Sequence, residues 1–475
     1  MNELHELSAL ECAAAVRRRE VSPVELVEHA LARVERLDPI VGAFVTLTAD
    51  SALDRARHAE QLVLSTADPG SLPPVLGVPT AIKDLNQVAG VASHFGSATM
   101  PDFVAPYDDH VVQLLRAAGT ISLGKTATPE FGLPCYTETA IGPPARTPWD
   151  VTRSAGGSSG GAAAAVASGM VPFAQGSDGG GSIRIPASAC GLVGLKTSRG
   201  RVSRGPMDLD IVRLSVNGPL THTVRDAAAF LDAVAGPQVG DPEPLPSLPG
   251  GGTFLEWCDR DPGRLRIGRF LDAPMSVGVD PQVFDAWERA SQLLVSLGHE
   301  VVDIAPPFPP ESVPAFETVW SVSAATIQVA PELEHALMPL TKYLMSRGRA
   351  ATGVEFAMAM SQLKVLSRDA VIASAQFDAL LSPTLAQLPV PIGYFAGDDG
   401  DAAQDFERQK RFTPYTAIFN TTGQPAISLP LFQSDTGLPI GIMLAGRPAG
   451  EAALLALAAQ LESALPWHAR RPPVW

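Results

Sequence analysis

Cysteine is scarce in this chain: 475 residues hold four. Cys12, Cys135, Cys190 and Cys258 stand far apart with no CxxC pair. That spacing argues against a disulfide framework and against a zinc site, and it suits a reducing cytoplasm. Basic residues are outnumbered as well, 35 Lys and Arg against 50 Asp and Glu, for a net charge of -15. Such a balance disfavours nucleic-acid backbones and anionic membrane surfaces as partners. No long apolar run is present. The stretch GGAAAAVASGMVPFAQG, residues 160–176, is built of small residues and broken by glycine, so no membrane span is expected. The N-terminal MNELHELSALECAAAVRRRE lacks the apolar core of a secretion signal. The expectation is a cytoplasmic protein that binds neither nucleic acid nor membrane. At 46% hydrophobic against 18% charged residues, it has ample material for a large core.

What the chain does have is a steady alternation of strand-like and helix-like segments. Length alone, at roughly 150 residues per domain, suggests about three domains. The alternation argues instead for one large layered α/β fold. Two capping boxes, SALE at Ser8–Glu11 and SPVE at Ser22–Glu25, start N-terminal helices. Residues 1–70 are assigned to a helical segment packed on a main domain of 71–475, whose densest part spans about 76–225. LGVPTAIKDLN reads as a short strand ending at Lys83 and Asp84, and DDHVVQLLRAAGTISLGKT as helix, glycine stop and strand. An alanine-rich helix and the strand VPFAQG follow. The Pro- and Gly-rich stretch 237–252 is the best linker candidate, yet the strand–helix–strand pattern after it can extend the same sheet. The tail alternates turns and strands, NTTGQPAISLPLF and GLPIGIMLAG, before a last helix.

Two motifs invite misreading. GTISLGKT, residues 119–126, matches the P-loop pattern letter for letter. A P-loop, however, follows a strand and opens a helix. Here a helix precedes the first glycine, TISL is β-prone, and Pro129 discourages a helix after Lys125. Lys125 is expected as a structural lysine at a strand end, and a P-loop nucleotide-binding protein is the alternative from another class. GSSGG, residues 157–161, nominates Ser159 for a G-x-S-x-G elbow. None of His222, His299, His335 and His468 stands in a context that marks it as a partner.

A third constellation joins Lys83 in AIKDLN, Ser158 in GGSSGG and Ser182 in GGGSIR. Singly, a lysine after an apolar strand is usually a solvated strand end, and a serine among glycines is usually turn chemistry. Together they solve one problem, the activation of a serine without histidine. Lysine, with an unperturbed pKa near about 10.4, is a poor base while exposed. Burial behind VPTAI would favour its neutral form, and Ser158 could carry a proton between it and Ser182. Asp84, next in sequence, opposes this unless its carboxylate faces elsewhere. The run Gly179, Gly180, Gly181 and Ser182 could aim successive backbone N–H groups at an oxyanion, each supplying roughly 3 kcal/mol of barrier lowering. Asp178 and Arg184 are read as a buried pair that props this loop, with Ser177 beside them.

Gly156 to Arg204, GGSSGGAAAAVASGMVPFAQGSDGGGSIRIPASACGLVGLKTSRGRVSR, resembles the amidase signature family. So do GVPTAIKDLNQVAG, AAGTISLGKTATPEFG, FDALLSPTL and FNTTGQPAISLPLFQSDTGLPIGIMLAGRP, so that the likeness covers roughly 75–475. The resemblance implies a single α/β domain with a mixed, twisted central sheet covered by helices on both faces. It implies Ser182 as nucleophile, Ser158 as relay serine, often on a cis peptide, Lys83 as base, and Gly179 to Ser182 as the oxyanion hole. It further implies an amide hydrolase working through an acyl-serine, with no metal and no cofactor. The departures are Ser177 where threonine is usual, KTS at Lys196–Ser198 for KPT, and Gly179 where many relatives carry a larger residue. The triple glycine is similar to that of bacterial amidases acting on nylon-type cyclic or linear amide oligomers.

The substrate pocket is expected from Phe131, Cys135, Tyr136, Phe316 and Trp320, an apolar set that favours hydrophobic, aryl or oligomeric amides. The expected partners are a small amide and water, with a homodimer as the default assembly. The alternative within the fold is the glutamine-hydrolysing subunit of a tRNA-dependent amidotransferase. Met207 to Pro219 does not resemble that subgroup's glutamine-site sequence.

Overall fold

The apolar residues ahead of Lys83 form a strand buried along its whole length, as a central strand covered on both faces must be. The structure, a computed structural model, describes residues 3–100, 103–248, 251–398 and 400–475. Among these, one sheet gathers 11 strands. They are β1 (Phe44–Leu47), β2 (Pro79–Lys83), β3 (Ile121–Thr126), β4 (Phe173–Asp178), β5 (Val193–Lys196), β6 (Val216–Thr221), β7 (Arg266–Arg269), β8 (Glu300–Asp303), β9 (Ala379–Pro383), β10 (Ala426–Gln433) and β11 (Pro439–Gly446). Their order across the sheet is β1-β3-β2-β4-β6-β5-β10-β11-β9-β7-β8. β2 runs parallel to β3 and β4, and β7 parallel to β8 and β9, while β6, β10 and β11 pair antiparallel with their neighbours. The sheet is therefore mixed. Every residue of β2, β4, β5, β6 and β11 is buried, so helices cover both faces.

The capping boxes at Ser8 and Ser22 form, each with reciprocal hydrogen bonds to the glutamate three residues on. The first 70 residues also supply β1, which pairs antiparallel with β3 at the sheet edge. The helix Gly160–Ala167 is buried at every position. Its glycines admit the sheet closely: a Cβ at Gly161 would lie 2.4 Å from the Ala43 carbonyl oxygen. The proline-rich stretch 237–252, of which 249 and 250 lie outside the described residues, does not divide the molecule, because β7 beyond it joins the same sheet through β9. The segment between β8 and β9, for which the sequence pattern specifies no helices, folds into Ser312–Ala325, Pro339–Ala350 and Gly353–Ser374. The first of these carries Phe316 and Trp320 to the mouth of the site. No helix among the described residues is long and apolar enough to cross a membrane.

Candidate active site

Adjacent parallel strands deliver the polar centre. Lys83 ends β2 and Ser177 lies near the end of β4. The Lys83 side chain is 0% exposed. Its Nζ lies 2.8 Å from Ser158 Oγ, 3.1 Å from Ser177 Oγ and 3.3 Å from the Ser177 carbonyl oxygen. Burial pulls this amine down to about 7, against the opposing pull of Asp178. Asp84 faces elsewhere. Its Oδ1 accepts from Lys125 Nζ at 2.7 Å and its Oδ2 from the His94 amide at 3.0 Å. Lys125, the lysine of the P-loop-like stretch, also donates to Ser93 Oγ and is thus held within a buried ion pair on β3.

Ser158 follows a cis peptide bond from Gly157. Glycine is required at 157 because a Cβ there would meet the Tyr136 backbone at 2.6–2.8 Å. Ser159, the elbow candidate, spends its hydroxyl on β4, donating to the Ser177 carbonyl at 3.1 Å and accepting from the Ser177 amide at 3.3 Å. Its backbone N–H donates to the Ser182 carbonyl at 3.1 Å, tying the two serine loops together. Ser158 and Ser182 line one cleft.

The glycine loop is organised from below by Asp178. Its carboxylate pairs with Arg184 through Nη2 and Nε, each at 2.9 Å, and both residues are fully buried. Burial alone would raise this carboxyl, but the Arg184 guanidinium outweighs it and holds the group below the usual carboxylate range. The same carboxylate accepts from the Gly181 amide at 2.8 Å and the Ile183 amide at 3.1 Å. This corrects one expectation: the Gly181 N–H is committed to Asp178 and is not free for an oxyanion. The amides of Gly179, Gly180 and Ser182 have no partner among the described residues. Two residues that sequence reasoning misses complete the loop. Asn420 Nδ2 donates at 2.8 Å to both the carbonyl and Oδ1 of Asp178, and Thr416 Oγ1 donates to the Gly180 carbonyl at 2.5 Å. Both belong to the region around FNTTGQP, a segment already marked by the family resemblance.

Ser182 stands where two clefts meet. One, of about 920 Å³, is lined by Cys135, Phe308, Phe316, Trp320 and Leu363 among others. The other, of about 1640 Å³, takes in Phe131, Trp320, Ser158, Ser177 and Gly179. Phe316 and Trp320 stack at 5.6 Å between ring centroids. Of the expected pocket residues, Tyr136 is misplaced. It is a core residue whose hydroxyl donates to Asp405 Oδ2 at 2.6 Å and whose ring stacks on Phe395. Gly132 adds a feature with no signal in the sequence: a Cβ there would lie 3.3 Å from Ser158 Oγ, so its absence keeps the approach to that hydroxyl open. Among the described residues no cluster of His, Cys, Asp and Glu could hold a metal ion.

The likeness to known proteins runs over nearly the whole chain. The chain is 35% identical to the 6-aminohexanoate-cyclic-dimer hydrolase of Paenarthrobacter ureafaciens, over 97% of this chain and 95% of that one. It is 34% identical to a glutamyl-tRNA(Gln) amidotransferase subunit of Thioalkalivibrio sulfidiphilus, over 99% of each chain. A solved 6-aminohexanoate cyclic dimer hydrolase complexed with its substrate superposes with a TM-score of 0.90 at 32% identity, covering 99% of both chains. The amidase family profile matches residues 25–455, and the chain belongs to that family of amide hydrolases.

Proposed function

We propose that Ser182 is the nucleophile, Ser158 the proton relay and Lys83 the base of this amide hydrolase. Ser182 Oγ bonds to the substrate carbonyl carbon while its proton passes to Ser158, whose own proton passes to neutral Lys83. The carbonyl oxygen, now negative, is met by the amides of Gly179, Gly180 and Ser182. Collapse breaks the C–N bond, and the proton returns through Ser158 to the departing nitrogen. Water then adds to the acyl-serine by the same path, releasing a carboxylic acid and restoring the Ser182 hydroxyl.

One observation carries this reading: the Lys83 amine, stripped of solvent, lies 2.8 Å from the Ser158 hydroxyl at the edge of a cleft that Ser182 also lines. Ser182→Ala tests it. Turnover of amides is expected to fall by about 10⁴-fold or more with the fold intact, and a variant that keeps substantial turnover overturns the assignment. We place the enzyme in the cytoplasm, where its four free cysteines suit a reducing environment. A homodimer is the expected assembly, to be checked by sedimentation.

A further inference from the structure

The two clefts differ in chemistry, and the proton relay opens onto one of them. The first cleft is walled by Met275, Phe308, Phe316, Trp320, Leu363 and Phe406. Its charged lining residues, Glu317 and Lys410, are an ion pair at 2.5 Å. Glu317 also meets Arg347, and Lys410 meets Glu407. No charge there awaits a ligand. The second cleft is larger and carries Asn86, Asp109, Asn217 and Asp210. Its one lining guanidinium, Arg204, is already paired with Asp208. Ser158 and Ser177 border this second cleft, and the lining of the first includes neither.

Resting on the triad reading above, we propose that the first cleft binds the acyl half of the substrate and the second binds the departing amine. The substrate class is then an amide of an apolar carboxylic acid with a neutral or cationic amine. The argument is one of proton delivery. The departing nitrogen must reach Ser158 to collect its proton as the C–N bond breaks, and a general acid must lie within hydrogen-bond reach of the atom it protonates. A nitrogen in the first cleft lies among residues that include Ser182 but not the relay serine. A nitrogen in the second cleft meets the relay hydroxyl directly, and Gly132, lacking a side chain, leaves that approach clear. The acyl chain then points away into the apolar cleft. The departing amine leaves by way of the second cleft, the more voluminous of the two. Asp109 accepts from Asn86 and the Gln87 amide, and Asp210 from the amides of Val212, Arg213 and Ser215. Both carboxylates are thus held by neutral donors, and with Arg204 they leave the lining net negative, which opposes an anionic amine. The paired charges of the first offer nothing to a zwitterionic acyl group such as that of glutamine.

Two substrate series and two substitutions on one helix test this. In 4-nitroanilides from acetyl to octanoyl, kcat/KM is expected to rise about fourfold per methylene over the first few additions. Succinyl nitroanilide and glutamine are expected to be poor. In hexanoyl amides of aniline, diaminobutane and β-alanine, the β-alanine amide is expected to be at least about tenfold worse than the diaminobutane amide. Val313→Trp, filling the first cleft, is expected to abolish the gain with acyl length while sparing the acetyl anilide. Ser323→Trp, filling the second, is expected to preserve the acyl ranking and penalise the bulkier amines. Should either variant fail to fold, Val313→Phe and Ser323→Phe take their place, and the wild-type series stands without them. Preference for a charged acyl group, or a crossed pattern in which Val313→Trp sorts amines and Ser323→Trp sorts acyl chains, overturns this assignment alone. A wild type that hydrolyses no amide overturns the triad reading together with it.

Discussion

Lys125 Nζ lies 2.7 Å from Asp84 Oδ1, and neither side chain is more than 1% exposed. The pair cancels a negative charge one residue from Lys83, which would otherwise help to hold that lysine protonated. A lysine in a P-loop-like sequence thus serves a charge balance inside the sheet. Lys125→Met leaves a carboxylate buried without its partner and is expected to cost about 3–5 kcal/mol in urea unfolding. The double variant Lys125→Met, Asp84→Asn removes both charges and is expected to recover a large part of that loss. If the double variant is no better than the single one, the pairing is not what stabilises this corner.

With Lys83 as the proposed base, its protonation state is expected to set the pH dependence of the reaction. Burial lowers its pKa to about 7, so the amine is a base above that value and an ammonium below it. Activity is expected to rise with pH through about 7 and then level off, as read from kcat/KM between about pH 5 and about pH 9. Stability follows the same sign. A lysine whose folded pKa is depressed penalises the fold most below the folded value, and the penalty fades as pH rises toward the unfolded value of about 10.4. A rate profile that is flat across this range would show that Lys83 does not titrate in the catalytic path.

Two neighbouring serines differ in their partners, and the proposed relay can be told from scaffold by substitution. Ser158 Oγ meets Lys83, whereas Ser159 Oγ meets the backbone of Ser177 on both its amide and carbonyl. Ser158→Ala is expected to lower kcat by about 10²–10⁴ with little change in melting temperature, since it removes a proton path. Ser159→Ala leaves buried backbone groups without a partner and is expected to cost about 1–3 kcal/mol of stability, with a smaller effect on kcat. The reverse pattern would exchange their roles.

Much of this arrangement can be read from local sequence, and the reason is physical. β2 is a short, largely apolar run closed by Lys83, β4 passes from Phe173 and Ala174 into Gln175, Ser177 and Asp178, and the helix Gly160–Ala167 is an alanine run entered by glycines. The proposed triad residues stand out because each lies at or beside an element's boundary, Lys83 at the last position of β2, Ser158 just ahead of that helix and Ser182 in the loop after β4. What local sequence does not reveal are contacts made across hundreds of positions. Asn420 reaches Asp178 over 242 residues, and Tyr136 reaches Asp405 over 269. An aromatic residue in a loop looks the same whether it faces a substrate or a buried carboxylate, so sequence places Tyr136 in the pocket when it belongs to the core. Gly181 misleads for a related reason. A glycine run advertises free backbone donors, but which N–H is spent depends on an aspartate whose orientation is fixed by Arg184 and Asn420.

The three glycines before Ser182 are therefore not equivalent, and substitution should separate them. Gly181 has φ +136°, and a Cβ there would lie 2.3 Å from Thr416 Oγ1 and 2.7 Å from Ile185 Cδ1. Thr416 is itself held on the Gly180 carbonyl, so it cannot retreat without releasing the loop. At Gly179 the nearest atoms to an added Cβ belong to Trp320 and Ser215, at 3.6 Å or more, an ordinary packing distance. Gly181→Ala combines backbone strain with a clash and is expected to cost at least about 2 kcal/mol and to depress kcat. Gly179→Ala is expected to fold with stability within about 0.5 kcal/mol of wild type. Its added methyl projects toward Trp320 beside the cleft, so its effect should fall on the KM of bulky amides while small amides are spared. Thermal melts paired with kinetics on one small and one bulky amide decide the matter. Equal stability losses at both positions would mean that packing, and not access to substrate, keeps Gly179 small.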